Sequence, residues 1–188
     1  MPRAGLDRTA VIARAALILD ERTSEGLNLA VLAQSLGVKP PSLYKHIEGM
    51  PGLRRGIMLL AKQDLARVLR HAAIGRSRDT AIGALALAYR RWALEHPGQY
   101  PMTMQAPVSG DDEDARESSA IADVVFDVLT GYGLGEDDAV DATRFLRSSL
   151  HGFVDLETSG AFELPVDLER SFAKLTQSIV ISLANWAD

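Results

Sequence analysis

The stretch that most restricts what this chain can become is residues 29–47, LAVLAQSLGVKPPSLYKHI. Leu29, Leu32, Ala33 and Leu36 recur at helical spacing and give one apolar face. Gly37 breaks that helix, and Val38 supplies the following turn with an apolar plug. A second short helix is predicted from Pro40-Pro41, with Leu43 and Ile47 inward and Ser42, Tyr44, Lys45 and His46 outward. So short a helix is not held by its own propensity. Its outward side chains are hydrogen-bond donors, a cation and an aromatic, a surface suited to a polyanion.

Helical periodicity runs through the rest of the chain. Alternating Val/Ile/Thr runs closed by Asn-Gly or Asp-Gly turns are absent, so the fold class is predicted as all-α. Asp7 is a cap for a helix over residues 7–22, with Val11, Ile12, Ala15, Ile18 and Leu19 inward and Arg8, Arg14 and Arg22 off that stripe. A loop from Thr23 to Leu27 contains Gly26 as a left-handed position, and Asn28 caps the next helix. Pro51 opens a long helix reaching about Ala73, with Leu53, Ile57, Leu60, Ala61, Leu65 and Val68 inward. Helices follow over 80–95, stopped by Pro97, over 115–130, over 137–158, and after Asp167 to the end. Residues 97–104, rich in Met and Tyr, read as compact and irregular. The acidic run in 107–114 reads as a solvated, mobile loop.

Charge divides the chain. Residues 1–55 hold eight Lys or Arg against five Asp or Glu, while residues 56–188 hold twelve against twenty. A basic end on an acidic body points to an anionic partner for the N-terminal third. The absence of Cys excludes disulfides and thiolate metal sites, and is expected of a reducing compartment. Arg14 interrupts the first apolar run, so no leader is read there, and a cytoplasmic protein with no membrane partner is expected.

The two C-terminal helices carry more apolar surface than a small body needs. Phe145, Ser149, Gly152, Phe153 and Leu156 form one stripe of the helix over 137–158, and Leu146, Leu150 and Val154 form another. The last helix adds Leu168, Phe172, Leu175, Ile179, Leu183 and Trp186. Two-fold pairing of these helices into a four-helix interface is the expected outcome, making Phe145, Ser149, Gly152, Phe153, Leu175, Ile179, Leu183 and Trp186 the candidate dimerisation residues.

A helix, a helix-turn-helix, a long fourth helix and an all-helical body resemble the TetR family of transcriptional repressors. The resemblance rests on LeuGlyVal (36–38), ProSerLeuTyrLysHis (41–46), Ile47 and Leu53, and more loosely on AlaLeuGluHisProGlyGlnTyr (93–100) and LeuHisGlyPhe (150–153). It implies a DNA-binding domain over 1–52, joined by the long helix to a ligand-binding and dimerisation domain over 53–188. It further implies a homodimer on a palindromic operator in double-stranded DNA, released by a small-molecule effector. By position, Pro40, Pro41 and Ser42 would lie near bases, Tyr44 and Lys45 at phosphates or base edges, His46 at a phosphate, and Asn28 at a cap that touches a phosphate. Lys39 stands at the approach.

Two positions depart from the family pattern. Ala30 stands where many members carry Arg, and Met50 where they usually carry Lys. Both losses thin the grip on the phosphate backbone, and Arg54 or Arg55 is the expected compensation one turn later. The alternative reading is a dimeric all-α ligand-binding protein with weak or lost DNA binding.

Tyr89, Trp92, Tyr100, Met104, Phe145 and His151 are candidate ligand contacts, with Met102 and Phe153 beside them, although aromatic and Met stripes at this spacing also build cores. GxSxG, a phosphate-cradling Gly loop and His/Cys metal spacing are all missing, so neither an enzyme nor a metal or cofactor is expected.

Overall fold

The computed structural model describes residues 6–21 and 26–186. Among them the chain is all-α, with no strand: α1 (Arg8–Glu21), α2 (Leu29–Leu36), a 3₁₀ turn (Pro40–Lys45), α3 (Gly49–Ala73), α4 (Arg78–Glu95), α5 (Tyr100–Thr103), α6 (Asp112–Leu129), a 3₁₀ turn (Thr130–Tyr132), α7 (Glu136–Thr158) and α8 (Leu168–Ala184). Arg22 and most of the predicted loop from Thr23 lie outside the described residues. The helix starts follow the caps read from the sequence. The Asp7 carboxylate accepts from Ala10 N at 2.7 Å, and that of Asp167 from Glu169 N at 2.9 Å.

The chain divides into two compact units, Met1–Asp64 with Glu95–Ala115, and Leu65–Leu94 with Arg116–Asp188. The first gathers α1, α2, the first 3₁₀ turn and the start of α3 around Val11, Ala15, Ile18, Leu32, Leu43, Leu53 and Ile57. Each of the Val, Ile and Leu side chains among them contributes about 2 kcal/mol of burial. Gly56 is what lets α3 meet α1: a Cβ there would stand 2.5 Å from Ile12 Cδ1.

Residues 96–99 dock in the same unit against the end of α1. A Cβ on Gly98 would stand 2.1 Å from the Leu19 carbonyl oxygen, so only glycine fits. The Asp20 carboxylate accepts from Gly98 N and Gln99 N, both at 3.0 Å, and from Gln99 Nε2 at 2.5 Å. His96 Nδ1 faces it at 2.8 Å. The predicted irregular segment is therefore an ordered turn leading into α5.

The second unit buries Ile82, Leu85, Trp92, Val124, Leu129, Leu146, Leu150, Val154, Phe172, Ile179 and Leu183. Arg90 sits at its centre. Arg90 Nε and Nη2 donate to Glu157 at 2.7 Å each, and Nη2 and Nη1 donate to Glu169 at 2.7 and 2.9 Å. Its guanidinium lies 4.8 Å from the centre of the Phe172 ring. Hydrogen bonds to both carboxylates raise the Arg90 pKa further, and the same bond to Arg90 lowers that of Glu169. At the start of α4, Arg78 donates to the Gly131 carbonyl at 2.9 Å and lies 4.7 Å over the Tyr132 ring. The Tyr132 hydroxyl donates to Asp79 at 2.8 Å, and burial pushes its pKa up.

Three expectations are corrected. The second short helix winds as a 3₁₀ turn, with Ser42 N bonded back to Lys39 O and Leu43 buried beneath it. The acidic run is not a solvated loop: Asp112 opens α6, and Asp114 is fully buried against Lys62. Ile179 and Leu183 are 0% and 1% exposed within their own subunit, so they have no surface to offer a second copy.

Candidate nucleic-acid interface

Backbone geometry presents the reading turn. Gly37 adopts φ 67°, and Val38 N donates to the Ala33 carbonyl at 3.0 Å, closing the end of α2. Lys39 is extended, and the chain then winds tightly, with Ser42 N donating to Lys39 O at 2.9 Å and His46 N to Leu43 O at 2.8 Å. Leu43 and Ile47 are buried and act as pegs. With those two inward, Lys39, Pro40, Pro41, Tyr44 and Lys45 are exposed, Tyr44 by 61%, and Ser42 and His46 are half-buried. The sequence-predicted reading residues are thus brought together on one turn. Exposure of an aromatic as large as Tyr44 costs apolar burial unless a partner covers it.

Asn28 caps α2, its side-chain oxygen accepting from Val31 N at 2.9 Å. Ala30 is exposed in the first turn of α2, where it leaves a gap in the surface charge. Met50 differs in kind: it is half-buried and packs on the core of the first unit. It brings apolar contact to that core and no charge to the surface.

Of the two arginines expected to compensate, Arg54 is exposed and makes no ion pair among the described residues. Arg55 is occupied. Its Nε and Nη2 each donate to Asp111 at 2.7 Å, and Nη2 donates to Glu113 at 2.8 Å. The hydrogen bonds from Arg55 hold the Asp111 carboxyl down at about 2. Two turns along α3, Lys62 Nζ donates to Asp114 at 2.5 Å and to the Gln105 carbonyl at 3.1 Å. Asp114 in turn accepts from Val108 N at 3.2 Å. The acidic run thus binds the face of α3 and changes the charge of the first unit, which holds nine Lys or Arg against eleven Asp or Glu, net −2.

Sequence reasoning missed Lys62, Asp111, Glu113 and Asp114. One signal was present: Lys62 shares a helix face with Met58, Leu65 and Leu69, all buried, so a charge stood in an apolar stripe.

The candidate ligand residues are divided. Tyr100 and Met104 belong to the first unit, and Tyr89, Trp92, Phe145 and His151 to the second. Tyr89, Trp92 and Tyr100 are buried. Phe145 packs against Trp186 with ring centres 5.6 Å apart. A groove of about 430 Å³ between α4 and α8, floored by Gly83, Leu87, Phe172, Thr176 and Val180, is lined by none of these six. Of the candidate dimer residues, Phe145, Ser149, Gly152, Phe153, Leu175 and Trp186 are half-buried, and Ile181 and Leu156 beside them are 55% and 44% exposed. No helix among the described residues is long and apolar enough to cross a membrane.

Residues 82–179 match the model of the "Tetracyclin repressor-like, C-terminal domain" family. An HTH-type transcriptional regulator from Mycobacterium tuberculosis is 36% identical over 92% of this chain and 79% of its own. A second, from Bacillus subtilis, is 33% identical over 92% of this chain and 90% of its own. Among solved structures, a TetR variant from Acinetobacter baumannii in complex with minocycline superposes with a TM-score of 0.72 at 23% identity, covering 98% of this chain and 99% of the other.

Proposed function

Because this chain belongs to the TetR family of helix-turn-helix DNA-binding transcriptional regulators, we propose that it is a homodimeric repressor, released from a palindromic operator by a small molecule. The observation that carries the reading is the 3₁₀ turn, which exposes Lys39, Pro40, Pro41, Tyr44 and Lys45 together while Leu43 and Ile47 anchor it. A turn held this way enters a major groove with its backbone already fixed, so the ordering cost of docking falls on the exposed side chains alone. Ser42 and His46 at its edges, and Asn28 at the cap of α2, add donors for phosphate.

Dimerisation uses the half-buried stripe of α7 and α8, with Phe145, Ser149, Gly152, Phe153, Leu175 and Trp186 now joined by Leu156 and Ile181 in place of the buried Ile179 and Leu183. Two heads related by a two-fold axis match two half-sites about one helical turn of DNA apart. The effector acts by population shift, favouring a conformation whose half-site spacing misfits the operator. The small-molecule reading draws support from a neighbour of the same fold that holds minocycline.

A gel shift with duplex DNA flanking the chain's own gene tests the reading. The expected result is a shift at low salt that is lost in the Tyr44→Ala/Lys45→Ala variant. A shift that survives the double substitution overturns the residue assignment. The net charge of −2 on the first unit favours the second reading, a ligand-binding dimer with weak or lost DNA binding, and absence of any shift with the wild-type protein at low salt would count heavily against the repressor.

A further inference from the structure

We propose that Asp111 and Glu113 act as an internal stand-in for DNA phosphate: they hold the Arg55 guanidinium on the protein and withhold it from a backbone contact that α3 otherwise makes. The inference rests on the DNA-binding reading above and concerns the regulation of that same surface.

Geometry is the first support. Asp111 receives both the Nε and the Nη2 edge of Arg55 at 2.7 Å, and Glu113 receives Nη2 at 2.8 Å. This is the planar fork by which arginine grips phosphate. The two carboxylates therefore take the Nε–Nη2 edge, the side of the guanidinium that offers two parallel donors to one anion.

Exposure is the second. The side chains of Arg55, Asp111 and Glu113 are 35%, 19% and 43% exposed, so incoming anions can reach the pair. The neighbouring Lys62–Asp114 pair is 1% and 0% exposed and is closed to exchange. The buried pair fixes the acidic run against α3, and the open pair is the part that can let go.

Position and charge are the third. Arg55 lies in the second turn of α3, the helix that follows the reading turn, beside the exposed Arg54. Ala30 and Met50 bring no charge to the first turn of α2 or of α3, so Arg54 and Arg55 are the first cations along α3 and Arg55 is the one held in reserve. The same acidic run contains Asp112, which is exposed and makes no ion pair among the described residues. It supplies an internal control for simple charge repulsion.

The test is a salt titration of binding to the same duplex DNA, from about 50 to 300 mM KCl, scored by the slope of log affinity against log salt. Freeing Arg55 to add one phosphate contact per subunit steepens the slope by about 1.8 per dimer, at about 0.9 per contact. Asp111→Asn/Glu113→Gln is expected to show that change and tighter binding at low salt. Asn retains the side-chain oxygen that accepts from Asp114 N, and misfolding cannot imitate a gain. Glu113→Gln alone leaves that cap untouched and moves the slope in the same direction. Arg55→Gln leaves the wild-type slope unchanged and abolishes the gain in the Asp111→Asn/Glu113→Gln background, while Asp112→Asn leaves the slope near wild type.

A gain that persists without Arg55, or a gain from Asp112→Asn equal to that from Glu113→Gln alone, reduces the effect to general repulsion and overturns the clamp. A wild-type protein that binds, with variants of unchanged slope, overturns the clamp alone. A wild-type protein that fails to bind at low salt overturns the DNA reading together with it.

Discussion

The two units each hold a cation between helices, and they hold it differently. In the first, Lys62 and Asp114 are sealed from water, with side chains 1% and 0% exposed. In the second, Arg90 is buried, but one of its two carboxylates, Glu169, is 72% exposed while Glu157 is 11% exposed. A sealed pair has lost all hydration and depends entirely on its partners, so removing one member strands the other. A half-wet fork keeps one arm in solvent and divides its charge over two acids and an aromatic face. The comparison points to burial as what sets how much a substitution at each cation costs. Lys62–Asp114 is accordingly expected to be the less tolerant site.

The largest expected effect follows from that contrast. Asp114→Ala leaves Lys62 in the interior without its carboxylate and is expected to cost roughly 3–5 kcal/mol of unfolding free energy. The companion Lys62→Met/Asp114→Leu replaces the pair with apolar side chains of similar bulk and is expected to recover most of the loss. Urea unfolding of the three proteins decides the matter. If the single variant loses less than about 1 kcal/mol, the pair is not functioning as a sealed one and the contrast fails.

The second effect is smaller. Arg90→Met keeps the contact with Phe172 and removes the fork, leaving Glu157 mostly buried without its donor. A loss of about 2 kcal/mol is expected, the scale of a hydrogen bond to a charged group. Glu169, already in solvent, rehydrates at little cost. A double-mutant comparison of Arg90→Met with Glu157→Gln and with Glu169→Gln separates the two arms. Coupling concentrated on Glu169 instead of Glu157 would reverse the burial argument.

These pairs also mark where sequence reading stops. The helices were legible because apolar residues repeat locally, as with Val11, Ala15, Ile18 and Leu19 in α1, all buried. The reading turn was legible as a turn from Gly37 and Pro40, though its 3₁₀ winding depends on Leu43 being pinned to the core. The acidic run was misread because Asp111 and Asp114 find partners 56 and 52 residues away, a separation on which local periodicity is silent. Its carboxylates look like any solvated cluster until α3 is placed beside them. The stripe of α7 and α8 was misassigned in part for a related reason. Ile179 and Leu183 share the helix with the outward Ile181, and helical spacing does not say which face a fold covers with its own chain.

The smallest effect on stability is expected at the third cation, Arg55, the open end of the series. Its partner Asp111 titrates at about 2 in the folded chain, because Arg55 donates to it, against an ordinary carboxylate value near ~3.9. A depressed folded value means that the ionised form is favoured by folding. The contribution of the pair is therefore complete above about pH 4 and is lost as pH falls through about 2. Arg55→Gln removes the donor, so the Asp111 midpoint, followed by the carboxyl carbon resonance, rises toward ordinary values. Variant and wild type then differ slightly in stability at pH 7 and converge in acid. A midpoint that stays near 2 in Arg55→Gln would assign the depression to the Asp114 and Glu113 backbone amides instead. Arg55 would then be held loosely by Asp111, and the ordering of the three cations by exposure would have to be redrawn at its wet end.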